Sequence, residues 1–497
     1  MNALYSNLNN RYLINFNNVR ILTAFSSILL SLILILTDDI INADGILYVN
    51  MAQTFLNEDF GAMSSLYDWP FLALLMAGIS KITGLHAENS AYILNTVLFA
   101  ILTDALLRIS KFSLRSPQQI IIAAIIILSF YTLNEYRNFV IRDIGYWSFI
   151  FLGIFQLLKY SENKQVKYLF FWQSYTVIAI LFRIEGVILL AALPVYFLLN
   201  RKIEKRFLAF LTCYTIPMIL SVMVIILFLS DSIVADGFTK IRSVLTYANF
   251  DQLFSEHAQN ITLVADYIIN PIAKDQSALL LNSGITGMVI FEVVSGLSLS
   301  IIAVYLLLLK TNSYFRLDTH YKLLIGLLLA INLVILIVFV LTHQFISTRY
   351  CITAIIGLCL LILPKIAVNL ATAIQEKKYI LVSFAAFFLL TGLIDNFHQS
   401  FSKDYIKSAA LDAAPEIPPG AVVLTNDYFI QYYLQQNNPD IEVNIFTKSI
   451  PENSNYIFIV NKTEDNQLAM MSSNLQLTNI LETYEKKHSA TLYRIEP

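Results

Sequence analysis

The chain has 497 residues, 57% of them hydrophobic and only 14% charged, with a mean hydropathy of +0.63. A soluble domain carries about a quarter charged residues, so 14% excludes a soluble enzyme, and 34 Phe, 27 Tyr and 3 Trp are too many for a disordered chain. Lys+Arg (33) nearly balances Asp+Glu (35), which leaves no basic excess for nucleic acid.

Residues 1–20 are polar and Asn-rich and read as a cytoplasmic N-terminus. The first apolar run, Ile21–Leu36, is followed by Thr37, Asp38 and Asp39 rather than a small-residue cleavage site, so it reads as a retained span. Further runs lie near 91–109, 118–133, 144–160, 168–182, 186–199, 207–230, 286–309, 323–342, 351–368 and 379–394, eleven spans in all. With the N-terminus inside, the inner segments hold 18 Lys/Arg against 8 in the outer loops before the tail. That sidedness sends the C-terminus outside. Asp104, near the inner end of the second run, is expected to pair with Arg108 one turn on.

Within 168–199 both flanks are basic, so two short spans are expected to meet at Phe182-Arg183-Ile184-Glu185-Gly186. Each half is about 13–15 residues, or roughly 20–22 Å at 1.5 Å per residue, too short to cross alone. The turn must then lie below the outer surface, with Arg183 and Glu185 at membrane depth. They either serve a site or simply pair with each other to close the hairpin. Two outer loops are long. Loop 38–90 contains the amphipathic stretch Ile46–Phe60 and a second apolar stretch from Trp69-Pro70 to Gly84, which is short enough to be interfacial or re-entrant. Loop 231–285 mixes Leu and Ile with charges at near-helical spacing. After Ile394 the composition turns polar. Val422–Thr425, Glu442–Phe446, Tyr456–Asn461 and Ala490–Ile495 read as strands, and Tyr428–Gln436 and Gln467–Leu475 as helices. The organisation is therefore an α-helical polytopic membrane domain (21–394) carrying a small outer α/β domain (395–497).

Polar residues at the outer ends of the spans cluster at four places. These are 37–48, with Asp44 and Tyr48; 137–143, with Arg142-Asp143; 183–186; and 343–350, with Arg349-Tyr350. All four share one membrane face and invite one cavity. A carboxylate there can act as a base, and arginine can hold an anion. Separately, each has a plain structural reading: a solvated helix cap, a helix-end ion pair, or an arginine snorkelling to headgroups. No HxxxH, HxH or CxxC pattern occurs, so no metal ligands are assigned; the cysteines Cys213, Cys351 and Cys359 all fall in apolar runs.

The order of these motifs resembles the GT-C glycosyltransferases that use lipid-linked sugars, among them the protein O-mannosyltransferases and the aminoarabinose transferases. Asp44-Gly45-Ile-Leu-Tyr48 stands where such proteins have an acidic motif in a long first outer loop, with Gly45 where many have Glu. Trp69-Pro70 matches a Pro-marked helix in that loop, and Arg142-Asp143 an Arg-Asp pair in the second. Arg183-Ile-Glu185-Gly186 matches a Lys-Gly-type turn, and Arg349-Tyr350 an Arg-Tyr entering a late span. The resemblance covers roughly 20–365 and implies an inverting transferase of a bacterial inner membrane. It implies a polyprenyl-phosphate sugar donor, a lipid, glycan or protein acceptor, and a divalent cation as a candidate cofactor. Asp44 is the implied base and Asp143 the second acid. Tyr48, Arg142, Arg183, Glu185, Arg349 and Tyr350 are the implied substrate-binding residues. A phosphate leaves without protonation, so one carboxylate suffices where glycoside hydrolysis normally needs two. The rival readings are a transporter or flippase, or a scaffold of an envelope assembly. Transporters favour paired halves with broken spans, and no second copy of the first half is found here.

Overall fold

The computed structural model describes residues 15–37, 40–229, 250–309, 311, 315–395, 397, 404–445, 454–461, 477–485 and 488–495. Asp38, Asp39 and the expected helix Gln467–Leu475 lie outside them, as do residues 230–249, which include the start of the long loop 231–285. The chain divides into two units. One is Met1–Ile33, Met51–Arg137 and Ile141–Phe397; the other is Leu34–Asn50, Asn138–Val140 and His398–Pro497.

The first unit is helical. Among the described residues, five helices are long and apolar enough to cross a membrane: Phe16–Thr37, whose last turn falls to the second unit, Ala87–Lys111, Pro271–Ser295, Thr319–His343 and Thr348–Gln375. Shorter apolar helices such as Pro117–Leu128 and Tyr379–Asp395 accompany them. Tyr379, Ile380, Phe384, Phe387, Leu390 and Ile394 all expose their side chains along one such helix, a face suited to lipid rather than water. The chain is an integral membrane protein.

The eleven apolar runs do not map one to one onto helices. The run 286–309 is two helices, Ser277–Ser295 and Leu299–Leu308. The break comes at Gly296, where an added Cβ would lie 2.3 Å from Ile355 Cδ1, and at Ser298, whose φ is +63°. Ser295, Gly296, Ser298 and Ser300 interrupt the apolar run here, a Gly/Ser signal that a reading by runs alone passes over. The hairpin turn, by contrast, falls where charge placed it. Helix Lys167–Phe182 stops at Arg183, which is extended, and the chain resumes as Gly186–Ala192 and, after Pro194, Val195–Leu199. Between the first span and Ala87, helices Ala43–Asn57, Phe60–Leu66 and Phe71–Thr83 follow one another. The last of these ends on Gly84 at φ +72°, whose N–H bonds Ser80 O, a left-handed cap suited to glycine.

Helices Asp143–Asn163 and Lys167–Phe182 pack closely because glycines face aromatics. A Cβ on Gly145 would lie 2.3 Å from Phe182 Cε1, and one on Gly153 2.8 Å from Trp172 Cε3; both rings are buried. Gly145→Ala should therefore force Phe182 aside and destabilise by about 1–3 kcal/mol, the usual cost of overpacking. The unfolding midpoint of the purified variant checks this, and an unchanged midpoint would mean the ring moves freely.

The second unit holds a five-stranded sheet of order β2-β1-β3-β5-β4: β1 Val422–Thr425, β2 Glu442–Ile445, β3 Tyr456–Asn461, β4 Leu477–Glu485 and β5 His488–Ile495. β1 runs parallel to β2 and β3, whereas β5 is antiparallel to β3 and β4. Leu424, Ile457 and Ile459 form a core beneath Leu477 and Ile495. β4 and helix Asp404–Ala413 have no counterpart in the sequence reading. β4 alternates with polar residues and includes an irregularity between Asn479 and Leu481, which blurs the period-two signal. The segment after the first span belongs to this unit: Ile41 N–H donates to Tyr433 Oη at 3.0 Å, and Asn42 bonds both backbone groups of Val140.

Candidate active site

Three helix ends in the first unit bring the charged residues together. Asp143 is the first residue of helix Asp143–Asn163, where a carboxylate complements the positive end of the helix dipole. Arg183 follows the last residue of Lys167–Phe182, the end that favours a cation. Arg349 is the second residue of Thr348–Gln375, an end that disfavours one, and Asp143 offsets that cost.

Asp143 is fully buried and holds both arginines. Its Oδ2 accepts from Arg349 Nη2 at 2.6 Å and Nε at 3.0 Å, and its Oδ1 accepts from Arg183 Nη1. Arg183 also donates through Nη2 to Glu185 Oε1 at 2.6 Å and through Nε to Oε2 at 3.3 Å. The Arg183 guanidinium lies 5.5 Å from the centroid of the Tyr350 ring. The hairpin pair Arg183–Glu185 thus exists, and it is one link of a longer chain. Side-chain exposure rises outward from Asp143 at 0%, through Arg183 at 10% and Arg349 at 23%, to Glu185 at 38%. Arg349 is the better exposed of the two arginines, and it turns inward to Asp143 instead of lying outstretched at the surface. Thr348 beside it donates to Glu292 and lines a cavity of about 570 Å³ with Glu135, Asp395, Tyr131, Ser298 and Phe387.

Arg142 stacks over the ring of Tyr67 at 5.4 Å. Asp44 and Tyr48 belong to the other unit, in the first turns of helix Ala43–Asn57. Asp44 is exposed, and Tyr48 is buried at 4% exposure. The glycine after Asp44 has a steric reason: a Cβ there would lie 2.7 Å from Ile41 Cγ1 and 2.9 Å from Val140 Cβ, leaving no room for a glutamate.

Sequence reading gave Arg137 no role and passed over Glu135 and Glu292 entirely. Arg137 is buried and donates to Asn134 Oδ1 and, across to the first span, to Ser27 O, Ser27 Oγ and Ser31 Oγ at 2.7–3.0 Å. Nothing in local spacing links residues so far apart in the chain. The pair Asp104–Arg108 forms at 2.7 Å as expected, and Arg20 joins it.

The cluster does not fit a divalent cation, because guanidinium groups occupy both oxygens of Asp143 and bind Glu185. Among the described residues no group of three or more His, Cys, Asp or Glu is placed to hold a metal ion.

No family model and no curated protein sequence matches the chain. Among solved structures it is similar to ArnT from Cupriavidus metallidurans in the apo state, at 11% identity and a TM-score of 0.58, over 95% of this chain and 97% of that one. The chain has the GT-C fold. It is also similar to an Archaeoglobus fulgidus oligosaccharyltransferase crystallised with Zn and sulfate, at 12% identity and a TM-score of 0.47, over 88% of this chain and 67% of that one. The Asp143 network joins three of the four polar stretches that the sequence marked, and the fourth carries Asp44.

Proposed function

We propose that this chain is an inverting glycosyltransferase that moves a sugar from a polyprenyl-phosphate donor to an acceptor hydroxyl or amine at the outer face of a bacterial inner membrane. The observation that carries the reading is the buried Asp143, which orients two guanidinium groups and leaves Arg349 the more exposed. A lone arginine at a helix N-terminus is a poor structural element, but one held by a buried carboxylate is a prepared anion site.

In this reading Asp44 takes the proton from the acceptor hydroxyl, and the acceptor oxygen attacks the anomeric carbon. The bond to the phosphate oxygen breaks on the opposite side, the polyprenyl phosphate leaves with the electron pair, and the anomeric centre inverts. Arg349 stabilises the charge growing on the departing phosphate, while Arg183 and Glu185 hold Asp143 and each other in place. Arg142, Tyr48 and Tyr350 contribute to substrate binding. Asp143, with both oxygens engaged, acts as the anchor of the arginines rather than as a base. No step uses a metal. In this reading the α/β domain 395–497 is extracytoplasmic.

Reconstitution into liposomes with a mixture of polyprenyl-phosphate sugars tests this. Transfer to an added acceptor, with release of free polyprenyl phosphate, is the expected result. Movement of a donor across the bilayer without any bond cleavage would replace this reading with a transporter.

A further inference from the structure

Helix Asp143–Asn163 carries Asp143 at its first residue and Lys159 sixteen residues later, about 24 Å along its axis. The region around Lys159 is therefore at the opposite end of the unit from the Asp143 network. There Arg20 from helix Phe16–Thr37 and Arg108 and Lys111 from helix Ala87–Lys111 converge with Lys159 on a cavity of about 300 Å³. Its chemistry is unlike that of the outer cluster. Asp104 pairs with Arg20 Nε and Arg108 Nε, each at 2.7 Å, and Glu162 pairs with Lys159 at 2.8 Å. Four cations face two carboxylates, so two positive charges remain uncompensated by these pairs.

The positive-inside tendency alone accounts for basic residues at this end, and snorkelling would spread their head groups toward water. Here they are drawn together over aromatic rings. Lys111 Nζ sits 4.2 Å from the centroid of Phe16, the Arg108 guanidinium 5.2 Å from that of Phe155, and Lys159 Nζ 5.5 Å from that of Phe112. Aromatic faces hold cations in place without neutralising them. The result is a preformed recess at the small end of the ligand-pocket range, walled by two guanidinium and two ammonium groups.

We infer that this cavity binds the phosphate of an anionic ligand on the membrane face opposite the Asp143 network. Phosphate matches the charge excess and the arginine geometry, and basic pockets between spans on the cytoplasmic side suit anionic headgroups. A lipid headgroup of that leaflet and a soluble phosphate share this chemistry. The inference stands apart from the transferase reading.

The test is thermal unfolding of the full-length protein in neutral detergent with added phosphatidylglycerol, phosphatidylcholine of the same acyl chains, or inorganic phosphate. It uses wild type and the double variant Lys111→Gln/Lys159→Gln, which leaves Arg20, Arg108 and Asp104 intact. Phosphatidylglycerol should raise the wild-type midpoint by roughly 3 °C at about a hundredfold excess over its dissociation constant. Most of that rise should vanish in the double variant, whose lipid-free midpoint should match wild type. Stabilisation by phosphatidylglycerol alone identifies a lipid headgroup, and an equal effect of inorganic phosphate identifies a soluble ligand. Equal stabilisation by the two lipids, no stabilisation by any addition, or full stabilisation of the double variant would overturn the inference. Should the double variant unfold early, Lys111→Gln alone, at an exposed position, is read the same way by native mass spectrometry of bound lipid.

Discussion

Asp44→Asn should lower the rate of sugar transfer by about 10²–10⁴-fold, the span that general-base catalysis contributes. The amide keeps the size and one acceptor oxygen of the carboxylate but cannot take the acceptor's proton. Asn keeps the hydrogen-bonding capacity of the side chain, and losing one carboxylate from the first turn of the helix should cost no more than about 1 kcal/mol of stability. Donor affinity should also hold, which places the loss in turnover and not in KM. Single-turnover assays with labelled donor separate the two. Wild-type turnover in Asp44→Asn would remove the base assignment while leaving the arginine cluster as a binding site. Gly45 offers a related control. Gly45→Glu would restore the second acid seen in related motifs, yet the walls of Ile41 and Val140 stand within 3 Å of its Cβ, so that variant should fold poorly and gain no activity.

Asp143→Ala is expected to show the largest stability change in the chain. It removes the shared partner of two guanidinium groups in a buried position, and breaking a buried ion pair by deleting one member costs about 3–5 kcal/mol. Arg183 keeps Glu185, but Arg349 loses the carboxylate that holds its Nε and Nη2, so activity should fall with stability. Arg349→Lys separates the two effects. The ammonium preserves the charge next to Asp143 but not the planar fork, so the protein should fold while turnover drops by about 10²–10³-fold, as when one stabilising donor is lost. A double-mutant cycle across Asp143 and Arg349 measures the coupling directly. A folded, fully active Asp143→Ala protein would show that the network has no part in positioning Arg349.

The legible part of this protein was set by local physics. Continuous apolar runs require a lipid solvent, and basic flanks on both sides of 168–199 forced a turn near Arg183, where helix Lys167–Phe182 does end. Strands β1 and β3 were readable to the residue, because short β-rich runs bounded by Gly, Pro and Asn carry their own signal. The break at 296–298 is marked locally by Ser295, Gly296 and Ser298, but its close approach is not: a Cβ on Gly296 would meet Ile355, a residue 59 positions away on another helix.

The site shows the same division. The sequence by itself determined that this is a polytopic membrane protein with an α/β tail, and that acids and arginines gather at the ends of particular spans, since hydropathy and charge bias act within a few residues of each position. Only the tertiary structure decided that Asp143 clasps Arg183 and Arg349 across gaps of 40 and 206 residues, and that Arg20, Arg108, Lys111 and Lys159 close on one recess. Which charge meets which depends on helix packing, and packing is settled by shape between distant segments: glycines at 145 and 153 admitting the rings of Phe182 and Trp172, contacts that no local pattern encodes.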